Sequence, residues 1–153
     1  MKIRLLTLTM FLSFFTSFAQ DKPAYRLFTA KGKSVKYKKL VREALKSDMV
    51  FFGELHNNPI SHWLELELAV DLAKQAKLQM GAEMFELDNQ EALQDYLNNK
   101  IDYKSYTEEV RLWPNNKTDY QPLVEFAKKE NLDFYATNIP RRFANMVFKG
   151  DFE

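Results

Sequence analysis

Three times along this chain an apolar run ends in polar groups beside a helix-length amphipathic segment, and that repetition constrains the fold more than any single motif. The runs are residues 49–52, 78–84 and 132–137. Each reads as a strand, and the first, continuously apolar, reads as one buried on both faces. Helical patterns over residues 59–77, 88–98 and 120–130 separate them, with Asp88 placed to cap the second. Strands joined by helices of this length run parallel, as neighbours or near neighbours. The predicted class is therefore α/β, with a central, largely parallel β-sheet flanked by helices. Glu54, Glu83 and Asn138 would then emerge together at one rim.

Ligands of open α/β sheets bind beyond the carboxyl ends of the strands, so the loop after the first run is the natural place for chemistry. It reads Gly53-Glu54-Leu55-His56-Asn57-Asn58-Pro59, and with His62 just beyond it this segment holds both histidines of the chain. Asn58-Pro59 is a helix start: Asn can cap free N–H groups, and Pro suits the first helical position. Glu54, His56 and Asn57 would lie beside the positive end of that helix. Glu54, His56 and Glu83 could position a divalent metal or activate water, because histidine is a usable base near its ordinary pKa and carboxylates orient it or share a cation. For each of these residues the plainer alternative is a cap or loop hydrogen-bonder. His62 and Glu65, three apart, share an edge of the first helical turn. There the plainer alternative is a surface histidine with an acidic neighbour. On this helix Trp63, Leu66, Val70 and Ala73 recur at helical spacing, and Ile60, Leu64, Leu68 and Leu72 widen the apolar stripe.

Ahead of these runs, residues 25–29, a turn at Ala30-Lys31-Gly32-Lys33 and an extended piece around Val35 form a hairpin pattern. Residues 37–46 follow as a basic amphipathic helix. Its cations read as a solvated face, because the apolar side is narrow, with a membrane-binding role as the alternative. Between the second and third runs, residues 101–120 are rich in aromatics and suggest an excursion over the surface, the kind of connection that often binds ligands. Tyr103, Tyr106, Trp113 and Tyr120 could line a pocket there. Core packing is the commoner fate of such residues, with Trp113, held by Pro114, the expected exception.

With 153 residues, 46% hydrophobic and 28% charged, the chain can build one core. Its 22 basic and 21 acidic residues give a net charge of +1, which argues against nucleic acid as a partner. The first 19 residues have a basic start at Lys2 and Arg4, an apolar centre and Ser17-Phe18-Ala19 before Gln20, the pattern of a cleaved signal peptide. Export to the periplasm or beyond is the expectation, with membrane association through an uncleaved leader as the alternative. The absence of cysteine excludes disulfides, thiolate metal sites and a lipidated N-terminal cysteine.

Taken in order, Gly53 to His62, Glu83-Met84-Phe85 with Gln90, Leu112-Trp113-Pro114, Asp119 to Leu123 and Thr137-Asn138-Ile139-Pro140-Arg141 resemble the ChaN family of haem-binding, iron-regulated proteins. That family sits in a superfamily with the Tiki proteases, TraB-like proteins and erythromycin esterases. The resemblance implies an exported α/β protein of haem or iron uptake, with haem as ligand, an outer-membrane uptake system as partner and homodimer formation. Haem iron would take a Tyr or His ligand and the propionates would suit Arg141 or the helix start at Asn58. The cofactor-binding candidates are His56, His62, Trp113, Tyr120, Asn138 and Arg141. The superfamily implies the alternative, a metal- or His/Glu-dependent hydrolase using Glu54, His56 and Glu83. Ser61 stands where members often carry a second histidine, and Glu65 where a Gln is common. Residues 20–153 are expected to form the N-terminal part of the family domain, with the sheet continuing beyond it.

Overall fold

A computed structural model describes residues 22–150, so the expected leader lies outside the described residues. Among those described, no helix is long and apolar enough to cross a membrane. The predicted hairpin forms: β1 (Leu27–Phe28) pairs antiparallel with β2 (Ser34–Val35). Its turn passes through Gly32 at φ 72°, a left-handed conformation that glycine adopts without a Cβ clash. Helix α1 (Tyr37–Ala44) buries Val41 and Ala44 and leaves its lysines outside, as its amphipathic pattern requires. Helix α2 (Pro59–Ala73) starts as the sequence predicts. The Asn58 side chain accepts from the N–H groups of Ile60 (3.0 Å) and Ser61 (3.2 Å), and Pro59 occupies the first turn.

Strand β3 (Met80–Glu86) leads through a 3₁₀ turn (Leu87–Asn89) into α3 (Gln90–Leu97). Asp88 lies within that turn rather than at a cap, and its carboxylate instead pairs with Arg142 at 2.8 Å. Helices α4 (Tyr103–Glu109), α5 (Asn116–Asp119) and α6 (Gln121–Glu130) follow, and α6 ends at Asn131 in the left-handed region. Strand β4 (Phe134–Asn138) and helix α7 (Arg141–Lys149) complete the described chain. The α/β class holds, with a small parallel sheet at its centre: β3 and β4 pair in parallel, Met80 opposite Phe134 and Ala82 opposite Ala136. The register becomes irregular between Ala82 and Glu86, so that Glu86 faces Asn138.

The predicted first strand is absent. Residues 49–52 pair with no strand among those described, and Phe51 is 89% exposed. An apolar run becomes a strand only where its N–H and C=O groups meet a partner ladder, and composition alone does not supply one. The second strand also runs past its predicted end, which leaves Glu83 inside β3 with its side chain on the open face. The aromatic stretch is a surface excursion only in part, because α4 and α5 turn it inward and bury Tyr106, Val110, Asn116 and Tyr120.

One core cluster joins Ala82, Met84 and Phe85 of β3 and Phe134 and Ala136 of β4 to α3, α4 and α6, with the Phe85 and Phe134 rings edge-on at 5.7 Å. A second joins Val41 and Ala44 of α1 to Leu68 and Leu72 of α2. Helix α2 links the two, since Ala69 belongs to the first. The outer edge of β4 is closed by a side chain. Asp133 C=O accepts from Met80 N–H on the β3 side, so alternation turns the Phe134 C=O and Ala136 N–H away from β3. Gln90 meets both: its amide NH₂ donates to Phe134 C=O (3.1 Å) and its oxygen accepts from Ala136 N–H (2.6 Å). One glutamine thus takes the place that a further strand would fill.

Candidate functional site

The loop between residues 53 and 58 is fixed by hydrogen bonds at its centre. The His56 backbone carbonyl accepts from Asn115 Nδ2 (2.7 Å) and lies 3.2 Å from His62 Nε2, so α2 and the start of α5 both hold it. With the backbone pinned, the Glu54 and His56 side chains meet across the turn. Glu54 Oε1 lies 2.7 Å from His56 Nδ1 and also accepts from the Tyr120 hydroxyl at 3.2 Å. The Glu54 side chain is only 6% exposed, whereas that of His56 is 52% exposed. A buried carboxylate therefore orients a histidine whose other end faces outward.

That outward nitrogen, Nε2, lies 4.0 Å from Glu83 Oε1 on the open face of β3. The His56 ring stands edge-on to Trp113 with centroids 4.8 Å apart, and Trp113 in turn meets Tyr120 at 5.8 Å. Beside the ring is an open hollow of about 630 Å³ lined by His56, Asn57, Pro114, Asn115 and Asp119. The hydrogen bond that His56 donates to Glu54 raises the pKa of His56 above the ordinary histidine value, with the charges of Glu54 and Glu83 acting in the same direction.

Behind this surface lies a buried polar layer. His62 is not a peripheral residue: its side chain is 3% exposed, with Nε2 3.5 Å from Glu54 Oε2 and 3.6 Å from Asp119 Oδ2. Its ring packs edge-on against Tyr120 at 4.8 Å. Tyr120 is buried too, and burial pushes its hydroxyl pKa up to about 12, so it stays a neutral donor to Glu54. Glu65, one turn along α2 from His62, has a buried oxygen with no hydrogen-bond partner. Burial, then the nearby Glu54 charge, raises its pKa to about 7.

The structure brings Glu54, His56, Glu83, His62, Trp113 and Tyr120 together, but in two layers. His56 lines the hollow and Glu83 lies on the open sheet face, while the half-buried Trp113 packs against the core beside the His56 and Tyr120 rings. His62 and Tyr120 are supports, too buried to offer an atom to a ligand at the surface. Asn138 spends its amide on the Glu83 backbone carbonyl (2.9 Å), tying the ends of β3 and β4 together. Arg141 starts α7, where its N–H donates to Glu86 Oε2 (2.8 Å) and its side chain is exposed. Asn115 and Asp119 are participants that sequence reasoning missed. They lie in the aromatic-rich stretch read as a surface excursion, and nothing in its pattern showed that Asn115 would reach back to His56.

The shared-metal expectation does not fit this donor set. Glu54 meets Nδ1 of His56 and Glu83 faces Nε2, so the two carboxylates sit at opposite ends of one imidazole and cannot join it around a single ion. Among the described residues no group of three or more His, Cys, Asp and Glu side chains could hold a metal ion. The fit to haem is better. A ligating histidine commonly gives its second N–H to a carboxylate, which fixes the ring and raises its basicity, and His56 with Glu54 has that arrangement. Trp113 stands edge-on to the same imidazole and adds an aromatic contact to it.

Fold and loop together give an α/β domain that presents one carboxylate-oriented histidine. The chain belongs to the family described as haem-binding uptake, Tiki superfamily, ChaN, whose model matches residues 40–153. Membership supports a haem-binding role in the broad sense. The chain is also similar to protein RETICULATA-RELATED 5, chloroplastic, of Arabidopsis thaliana, with 26% identity over 118 residues. That match covers 72% of this chain and 16% of the Arabidopsis protein, so the chain spans a small part of that relative's length. No solved structure gives a significant match.

Proposed function

We infer that this chain binds haem at the hollow beside the 53–58 loop, with His56 Nε2 as the nitrogen offered to iron. The observation that carries this reading is the 2.7 Å contact between Glu54 and His56 Nδ1. With Nδ1–H donated to a buried carboxylate, the neutral tautomer places its lone pair on Nε2, the exposed end. Haem, when bound, would supply an iron centre able to accept a histidine donor, and His56 would hold it. The chain's own work is to hold that donor in place, through Asn115 and His62 on the backbone and Glu54 on the ring, and to provide the apolar edge of Trp113.

The wider reading is an exported, iron-regulated carrier in haem or iron uptake. The leader pattern at residues 1–19 supports export, and the family description supports uptake. Its expected partners are an outer-membrane uptake system and a second copy of the chain. Haem titration followed by the Soret band tests the binding core of this proposal. Saturable binding that weakens several-fold to about 100-fold in His56→Ala is expected, while binding unaffected by that change would remove His56 from the role.

The same Glu54–His56 pair favours a second reading. A carboxylate-oriented histidine with a free Nε2 is also the arrangement of a general base acting on water. Hydrolysis of ester or peptide substrates that disappears in His56→Ala, in a protein giving no Soret band with haem, would establish that reading instead.

A further inference from the structure

The described chain separates its charge sharply. Residues 22–48 hold nine Lys and Arg against two acidic residues, Glu43 and Asp48, whereas residues 49–150 hold eleven against sixteen. The near-neutral total conceals a cationic front on an acidic body. Structure concentrates that front further, because the β1–β2 hairpin and α1 lie side by side around a hollow of about 740 Å³. Lys33 and Lys36 line it from the hairpin side, Lys38, Lys39 and Arg42 from α1, and Asp71 is its one carboxylate. Asp71 is already engaged by Lys74 at 2.8 Å, and Glu43 takes both Arg42 (3.5 Å) and Lys46 (2.9 Å). Among the described residues Lys33, Lys36, Lys38 and Lys39 form no ion pair. Phe28 stands 58% exposed on β1, opposite Ser34 in the hairpin.

We propose that the hairpin and α1 form a docking surface for an anionic phospholipid membrane, with the unpaired lysines at the headgroups and Phe28 entering the interface. The helix alone gave too narrow an apolar side for this. The hairpin adds both further cations and an exposed aromatic, the combination that holds a protein at a charged lipid surface. A membrane fits better than a nucleic acid because a planar surface meets one face only, whereas a long polyanion would also run against the acidic remainder of the chain.

Cosedimentation with vesicles tests this, comparing pure phosphatidylcholine with an equimolar mixture of phosphatidylcholine and phosphatidylglycerol. The full chain is set against a variant with Lys33, Lys36, Lys38 and Lys39 all changed to Gln, its fold checked by circular dichroism. Anything residues 1–21 contribute is common to both proteins. A lysine near an anionic surface changes binding roughly fivefold, so the fourfold variant should bind the mixed vesicles at least ~100-fold more weakly. Binding of the unaltered chain should fall steeply as salt approaches about 1 M, and Phe28→Ser should weaken it several-fold without altering the salt dependence. Equal binding by the variant, or no preference for the mixed vesicles, would overturn the proposal. So would equally tight, lysine-dependent binding of a single-stranded oligonucleotide, which would mark a general polyanion surface.

Discussion

Replacing Glu65 by Gln should stabilise this protein only above the ordinary carboxylate range, with nearly all of the gain in place by neutral pH. Glu65 lies behind the His56 loop with one oxygen buried and unpartnered, and burial followed by the Glu54 charge raises its pKa from 4.5 to about 7. Because the folded-state value is the higher one, the stability it contributes is complete below the unfolded value of 4.5 and is lost as pH rises through about 7. At about 1.4 kcal/mol for each tenfold change in proton affinity, the loss comes to about 3 kcal/mol. Glu65 is only partly buried, and solvent screening reduces this to about 2 kcal/mol. Gln has the same shape and no proton to lose, so Glu65→Gln should match the unaltered protein below about pH 4, pull ahead between there and about pH 7, and exceed it by about 2 kcal/mol near pH 9. Urea unfolding of both proteins across that range reads the difference directly, since every other titrating group is common to the pair. Parallel stability curves across the range would refute the reasoning and show that the Glu65 carboxyl ionises freely in the fold.

Gln90→Ala should destabilise the fold by about 2 kcal/mol, because it strips partners from the Phe134 C=O and Ala136 N–H; urea unfolding checks this, and a change near zero would mean that water replaces the amide. Haem binding should weaken as pH falls, since protonation of His56 removes the lone pair on Nε2, with the midpoint above 6.5 because Glu54 raises the pKa. Glu54→Gln should move that midpoint to lower pH by weakening the hold on the imidazolium, and a Soret titration across pH detects the shift. Tyr120→Phe should leave the haem spectrum in place and weaken binding only modestly, because its hydroxyl supports Glu54 from a buried position. Complete loss of the Soret band in that variant would make Tyr120 the ligand.

The elements with local causes were legible in the sequence. The Asn58-Pro59 helix start, the Gly32 turn and the final strand all lie where capping, left-handed backbone and apolar patterning place them. What failed needed knowledge of partners. The run at residues 49–52 has strand composition without a strand beside it among the described residues, and Gln90 acts as a substitute strand through a side-chain geometry that no periodicity encodes. Helix α2 is apolar on most of its circumference, so spacing could not choose its inner face. Trp63 and Ile60 are exposed while His62 is buried with Leu64 and Leu68, contrary to the reading of His62 as a surface residue. In the site, Glu54, His56 and Glu83 stood out as polar residues at the ends of apolar runs. The division into a buried support layer and a single outward nitrogen depends on distances, which only the fold supplies.

The most direct test of the account is chemical rescue of His56→Gly. Removing the side chain at an exposed loop position should leave the fold intact and weaken haem binding, and free imidazole should restore the Soret spectrum by occupying the place between Glu54 and the hollow. Rescue that also requires an intact Glu54, failing in the Glu54→Gln/His56→Gly double variant, is the predicted result. Unchanged haem spectra and affinity in His56→Gly without imidazole would contradict the assignment of His56 Nε2 as the nitrogen this fold offers to iron.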